Sequence, residues 1–289
     1  MIVREWVGLR GIPVLFEEKF IYFPSKYPQG MGELPEIASE EGRIVPRIKE
    51  AWFKARDGVK LNGWICDPHR KESGSHLPIA TEMVLLFFHG NGGCIADRYD
   101  LILGLVTLPV RVFIIDYRGY GKSEGRPTER GLYLDGEAAW AYLVNEQGIS
   151  TKRIVLLGKS LGGAVAIELA THVEVAGLIV QSSFTSIPDM AKCMIPFLPR
   201  FLIRTKMDSI KKIPRVHCPK LFVHSPSDET VPFEFGRRLF RAASEPKRFY
   251  EVPGAPHNET YFVAGEAYLD ALRRFVQACT PSPTNLTGS

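Results

Sequence analysis

The sequence predicts an α/β protein: a mostly parallel central sheet, opened by an antiparallel N-terminal hairpin and covered by helices on both faces. Three observations predict it. Short apolar runs alternate with helical stretches through most of the chain, a hairpin signal precedes the alternation, and one strand passes straight into a helix through Gly158-Lys-Ser160-Leu-Gly162.

In chain order, the stretch from Trp52 to Trp64 holds two alternating runs around Asp57-Gly58, a dipeptide that tolerates the positive φ a tight turn needs. Strands follow near 82–88, 111–116, 153–158, 175–181, 219–224 and 247–252, with helices near 97–107, 130–146, 161–171, 232–243 and 259–278. In the second of these helices Leu132, Ala139, Tyr142 and Leu143 recur at helical spacing, so its charges read as a solvated face. The organisation expected is an extension over 1–50 packing on the core, a main domain over 51–279, and a small, polar, proline-containing tail over 280–289 that is disordered. Residues 183–214 break the alternation and read as a short lid inserted in the main domain.

The chemistry centres on Ser160. A sharp strand-to-helix turn needs glycines two before and two after the serine so that neighbouring backbone can pass without a Cβ, and Gly158 and Gly162 supply them. A second match, Gly121-Lys-Ser123-Glu-Gly125, follows its strand only across a loop and runs into Pro127, which starts no helix, so Ser123 reads as a loop residue. A serine hydroxyl needs a base, and the base an orienting carboxylate. Asp228 lies just past the strand Lys220-Leu-Phe-Val-His-Ser225, 68 residues after Ser160, and His257 follows 29 residues later beyond the last strand. Ser, Asp, His is the triad order of α/β-hydrolases, distinct from those of chymotrypsin-like and subtilisin-like proteases. The glycine-rich turn His89-Gly-Asn91-Gly-Gly93 follows an apolar strand, and the backbone N–H groups of Asn91 and Leu161 are the expected oxyanion donors. His89 precedes the serine and is expected to brace its loop.

These residues, with Tyr22-Phe-Pro-Ser25, Asp116-Tyr-Arg-Gly-Tyr-Gly-Lys-Ser-Glu-Gly125, Ser183-Phe-Thr-Ser186, His224-Ser-Pro-Ser-Asp-Glu-Thr-Val-Pro232 and Pro256-His-Asn258, span most of residues 20 to 258. The chain resembles α/β-hydrolase serine esterases of the branch that includes the BEM-type proteins and the eukaryotic protein depalmitoylases. The resemblance implies the α/β-hydrolase fold and an acyl hydrolase whose triad is Ser160, Asp228 and His257. Two features of the branch are not read in this sequence: the cysteine-rich N-terminus of the depalmitoylases and the hydrophobic anchor helix of many BEM-type members.

Composition sets the remaining expectations. A chain of 289 residues with 45% hydrophobic and 24% charged residues suits one globular core, and no uncharged apolar run approaches the ~18 residues of a membrane span. Neither a signal peptide nor an anchor is read in the first 25 residues, where charges recur. The five cysteines show no paired spacing, so no disulfide framework, metal site or cofactor is expected. The sequon Asn258-Glu-Thr260 beside His257 would place a glycan on the site, which together with the cysteines favours a cytoplasmic setting. A net charge of +4 with interspersed acids gives no reason to expect a nucleic-acid partner. In the lid, Met190, Met194, Phe197 and Phe201 either line a pocket for an acyl chain or pack a connecting helix on the core. The basic residues of that segment read first as a solvated face and second as a weak membrane-surface contact. The expected activity is hydrolysis of small carboxylic esters or acyl thioesters. A serine aminopeptidase, an acyltransferase and a non-catalytic binding protein on the same fold are the alternatives.

Overall fold

The structure, a computed structural model, describes residues 17–27, 44–72, 75–78, 81 and 83–281. Its strands are β1 (Phe23–Pro24), β2 (Ile44–Lys54), β3 (Lys60–Glu72), β4 (Ser75–Pro78), β5 (Met83–Phe88), β6 (Gly92–Gly93), β7 (Val110–Asp116), β8 (Ile154–Lys159), β9 (Gly177–Gln181), β10 (Lys220–His224) and β11 (Lys247–Glu251). Its helices are α1 (Glu18–Ile21), α2 (Tyr99–Leu105), α3 (Glu129–Ala141), α4 (Leu161–Ala170), α5 (Ile187–Met194), α6 (Ser209–Lys212), α7 (Phe233–Ala242) and α8 (Thr260–Cys279).

The main sheet runs in the order β11-β10-β9-β8-β5-β7-β3-β2, with β4 pairing on β3. The pairs from β7 through β11 are parallel, while β3 pairs antiparallel with both β2 and β7. This is the α/β-hydrolase architecture that the alternation predicts. Strands β5 and β8 are apolar almost throughout because both of their faces are covered. Val84, Leu86 and Phe88 join the core under α3 and α4, and Met83, Leu85 and Phe87 join the one under α2 and α8. The period-two alternation of a strand thus feeds two cores.

Three departures from the sequence reading have physical causes. First, β2 starts at Ile44, paired with Arg70, so the sheet already includes residues assigned to the N-terminal extension. Pro46 and the polar residues of this half-exposed edge strand hide it from a pattern search. Second, α3 ends at Ala141 and the helix reaches its predicted end through one wider, π-helical turn over Tyr142–Glu146. Third, β1 and β6 form a small parallel ribbon apart from the main sheet, too short for any periodicity to reveal. Residues 1–16, 28–43 and the tail beyond 281 lie outside the described residues.

A buried clamp fixes the loop after β7. Arg118 donates to Asp57 on the hairpin turn at 2.8 Å and to Asp135 on α3 at 2.9 Å, and its own backbone N–H donates to Asp135 at 2.8 Å. Burial pushes the Asp135 carboxyl up to about 6, although the bonds from Arg118 pull the other way. Removing the guanidinium would leave a fully buried carboxylate without its cation. Arg118→Met is therefore expected to destabilise the fold by about 3–5 kcal/mol. A urea titration checks this as a lower midpoint at unchanged slope.

Candidate active site

Four loops meet at the carboxyl ends of the parallel strands, following β5, β8, β10 and β11. Ser160 stands between β8 and α4 with φ 52° and ψ −116°, a left-handed conformation that an L-residue keeps only when its surroundings impose it. The imposition is visible. Its N–H donates to the Gln181 carbonyl at 2.8 Å, and its own carbonyl accepts from Ser183 Oγ at 2.9 Å. A Cβ at Gly162 would sit 2.0 Å from the Phe88 carbonyl oxygen, and one at Gly158 would sit 2.4 Å from the Gly162 carbonyl oxygen. Both glycines are therefore required by close backbone approach.

Ser160 Oγ lies 3.1 Å from His257 Nε2, and His257 Nδ1 lies 2.8 Å from Asp228 Oδ2. The other carboxylate oxygen, Oδ1, accepts from the backbone N–H groups of Thr230 at 3.0 Å and Val231 at 2.7 Å. Burial by itself would raise the Asp228 carboxyl. Hydrogen bonds from His224 and His257, the charge of His257 and the Val231 N–H outweigh it, holding this group well below the usual carboxylate range. Asp228 is thus ionised at neutral pH.

On the serine's other side runs the β5–β6 loop, where the Cβ position of Gly90 would be 3.6 Å from Ser160 Cβ. Asn91 follows, its side-chain oxygen accepting from Tyr120 Oη at 3.1 Å and from the Phe23 N–H at 3.4 Å. The pairing of Phe23 with Gly92 in the small ribbon anchors the same loop, which gives the Tyr22-Phe-Pro-Ser25 motif its place. Leu161 opens α4, so its N–H is among those a helix leaves without an intrahelical acceptor. His89 is fully buried, with Nδ1 2.7 Å from the Gly90 carbonyl oxygen and its own carbonyl accepting from Tyr117 Oη at 2.9 Å. It braces the loop.

Ser123 occupies a different environment. Its buried hydroxyl donates to the Asp116 carbonyl at 2.7 Å and accepts from the Asn62 N–H at 2.9 Å, tying β7 to β3.

Four residues inside the quoted motifs, to which the sequence reading gave no role, support the triad. His224 Nε2 lies 3.3 Å from Asp228 Oδ2 and 3.1 Å from the Val231 carbonyl oxygen, so one N–H serves both acceptors. Glu229 accepts from the His257 backbone N–H at 2.9 Å. Lys159 Nζ donates to Asn258 Oδ1 at 3.3 Å, and burial pushes its ammonium down to about 8. Ser183 Oγ holds the Ser160 carbonyl, as described above. The signal for His224 was available: it stands four residues before Asp228 at a strand end.

The four residues expected to line an acyl pocket are divided. Met190 on α5 packs against the core, whereas Met194, Phe197 and Phe201 stand in solvent, Phe197 with 95% of its surface exposed. A side chain so exposed encloses no pocket. Among the described residues, no three His, Cys, Asp or Glu are grouped to hold a metal ion, and no helix is long and apolar enough to cross a membrane.

Comparison with known proteins agrees with this architecture. Residues 85–275 match the model of the alpha/beta hydrolase family. An uncharacterized protein of Mycobacterium tuberculosis is 37% identical over 261 residues, covering 90% of this chain and 87% of that protein. Protein bem46 of Schizosaccharomyces pombe is 34% identical over 269 residues, covering 90% and 85%. Alpha/beta hydrolase domain-containing protein 17B of Homo sapiens is 34% identical over 193 residues, covering 66% and 65%. Among solved structures, the Pyrococcus furiosus esterase Pf2001 superposes with a TM-score of 0.68 at 21% identity, covering 88% of this chain and 99% of that one. With a family model matched across most of its length and relatives of this kind, the chain belongs to the alpha/beta hydrolase family, on its BEM-type branch.

Proposed function

We propose that this protein is a serine hydrolase of carboxylic esters or acyl thioesters, acting through an acyl-serine intermediate. The observation that carries the reading is the unbroken line of hydrogen bonds from Ser160 Oγ through His257 to a buried, ionised Asp228. In this reading Asp228 holds the proton on His257 Nδ1, which leaves Nε2 free to accept the serine proton as Oγ attacks the carbonyl carbon. The oxyanion is received by the N–H groups of Leu161 and Asn91, and the protonated His257 returns its proton to the leaving group. Water, activated by the same histidine, then releases the acid. No cofactor takes part in these steps. The strained turn at Ser160 and the carbonyl contact from Ser183 support the reading because they fix Oγ before substrate arrives.

A binding protein on the same fold is disfavoured by the intact geometry of Ser160, His257 and Asp228. A fluorophosphonate probe tests the choice, since it modifies only an activated serine: labelling of Ser160 supports the hydrolase, and an unlabelled folded protein refutes it. p-Nitrophenyl esters and acyl thioesters of increasing chain length then define the substrate. Because Phe197 and Phe201 stand in solvent, Phe197→Ala is expected to leave the chain-length optimum in place. A cytoplasmic location is part of the same proposal. It is supported by Asn258 of the sequon, whose side chain accepts from Lys159 beside His257, where a glycan would obstruct the site.

A further inference from the structure

Between Asp189 and Asp208 the chain has no acidic residue, and it carries Lys192, Arg200, Arg204 and Lys206. The same stretch exposes Met194 at 62%, Phe197 at 95%, Phe201 at 82% and Leu202 at 38%. Scattered exposed apolar residues are ordinary on a protein surface, but neighbouring aromatic rings left almost wholly in water are not.

The ends of this segment are held fast. At its start, Asp189 accepts from Thr185 Oγ1 at 2.6 Å and from Arg200 at 3.0 Å. At its end, Glu17 accepts from the backbone N–H groups of Arg204 at 2.9 Å and Thr205 at 2.7 Å, and Glu129 accepts from those of Lys206 at 2.6 Å and Met207 at 2.8 Å. Carboxylates thus capture the backbone at the base of the lid. Between these anchors Met194, Phe197, Phe201 and Leu202 face solvent while Ile203 is buried, and the cations Lys192 and Arg204 remain exposed around them.

We infer that the lid apex, residues 192–204, is a docking surface for an anionic lipid bilayer, with Met194, Phe197 and Phe201 entering the interface and Lys192 and Arg204 meeting the headgroups. The charge pattern selects this occupant, because a segment of cations and aromatic rings without one acid complements an anionic interface. Apolar insertion and electrostatic attraction both contribute, so binding depends on each. The inference does not rest on the chemistry of Ser160. Docking needs no turnover.

The test is cosedimentation of the full chain with phosphatidylcholine vesicles and with vesicles in which about a third of the lipid is phosphatidylserine, at ~0.1 M salt. The partition coefficient is expected to be at least tenfold higher on the anionic vesicles, and to fall at least tenfold in the Phe197→Ala/Phe201→Ala double variant. Lys192→Gln with Arg204→Gln should lower anionic binding and flatten its dependence on salt. Both pairs are exposed, so the thermal midpoint of each variant, expected to match that of the parent, reports retained folding. No preference for the anionic vesicles overturns the inference. So does binding that survives both pairs of substitutions, or that falls equally when Lys54→Gln and Lys152→Gln remove exposed cations outside the lid.

Discussion

Ser160→Ala is expected to abolish ester turnover and fluorophosphonate labelling, leaving no more than the ~10³–10⁴ over water that binding and oxyanion stabilisation supply without a nucleophile. Ser123→Ala is expected to keep both activities within a few-fold. The contrast follows from what each hydroxyl touches. Ser160 Oγ faces His257 Nε2 at 3.1 Å, whereas Ser123 Oγ is spent on the Asp116 carbonyl and the Asn62 N–H inside the sheet. Deleting Ser123 Oγ leaves a buried donor unpaired, so its effect should be a loss of about 1–3 kcal/mol in stability, with catalysis retained. Initial rates, labelling and urea titration on the two variants separate the roles. Equal loss of labelling in both would sink the assignment of Ser160.

The parts of this site legible in the sequence are those that local sterics or strand order dictate. The turn at Ser160 requires Gly158 and Gly162 because the backbone of the first turn of α4 and of the end of β5, respectively, occupies their Cβ positions, and that requirement is written as a short motif. Asp228 and His257 were legible from where strands end. The place of His224, four residues before Asp228 at a strand end, was legible too, but its contact with the carboxylate and that of Glu229 with a backbone N–H 28 residues away were not, because each partner is fixed only by the fold. The lid illustrates the opposite limit. Its methionines and phenylalanines have the composition of a pocket wall, yet composition does not say which way a side chain faces, and the carboxylates that hold the segment's base lie as far off as Glu17 and Glu129. The early start of β2 was hidden for a related reason, since an edge strand with one solvated face and a proline carries a weak alternation.

Asp228→Asn is expected to lower kcat by about four orders of magnitude while leaving KM within a few-fold, for a reason set by the carboxylate's surroundings. Oδ1 is fixed by the N–H groups of Thr230 and Val231, so in the amide the carbonyl oxygen must keep that position. The NH₂ group is then turned toward His257 Nδ1, 2.8 Å away in the parent. A donor facing Nδ1 forces the histidine proton onto Nε2, where it blocks acceptance of the serine proton. The His224 N–H, which shares Asp228 Oδ2 in the parent, would then face the amide NH₂, while the flipped amide would set its NH₂ against the Thr230 and Val231 N–H groups, so neither rotamer is free of a donor–donor conflict. Stability carries a separate signature. The native carboxyl is held below its unfolded value of about 3.9, so its contribution is fully present above that pH and is lost as pH falls toward the native value. Asp228→Asn removes this proton linkage, and its unfolding free energy should vary less between pH 5 and pH 2 than the parent's. A burst assay with p-nitrophenyl acetate locates the defect: acylation should slow with kcat, and a normal burst followed by slow release would show that Asp228 serves deacylation alone.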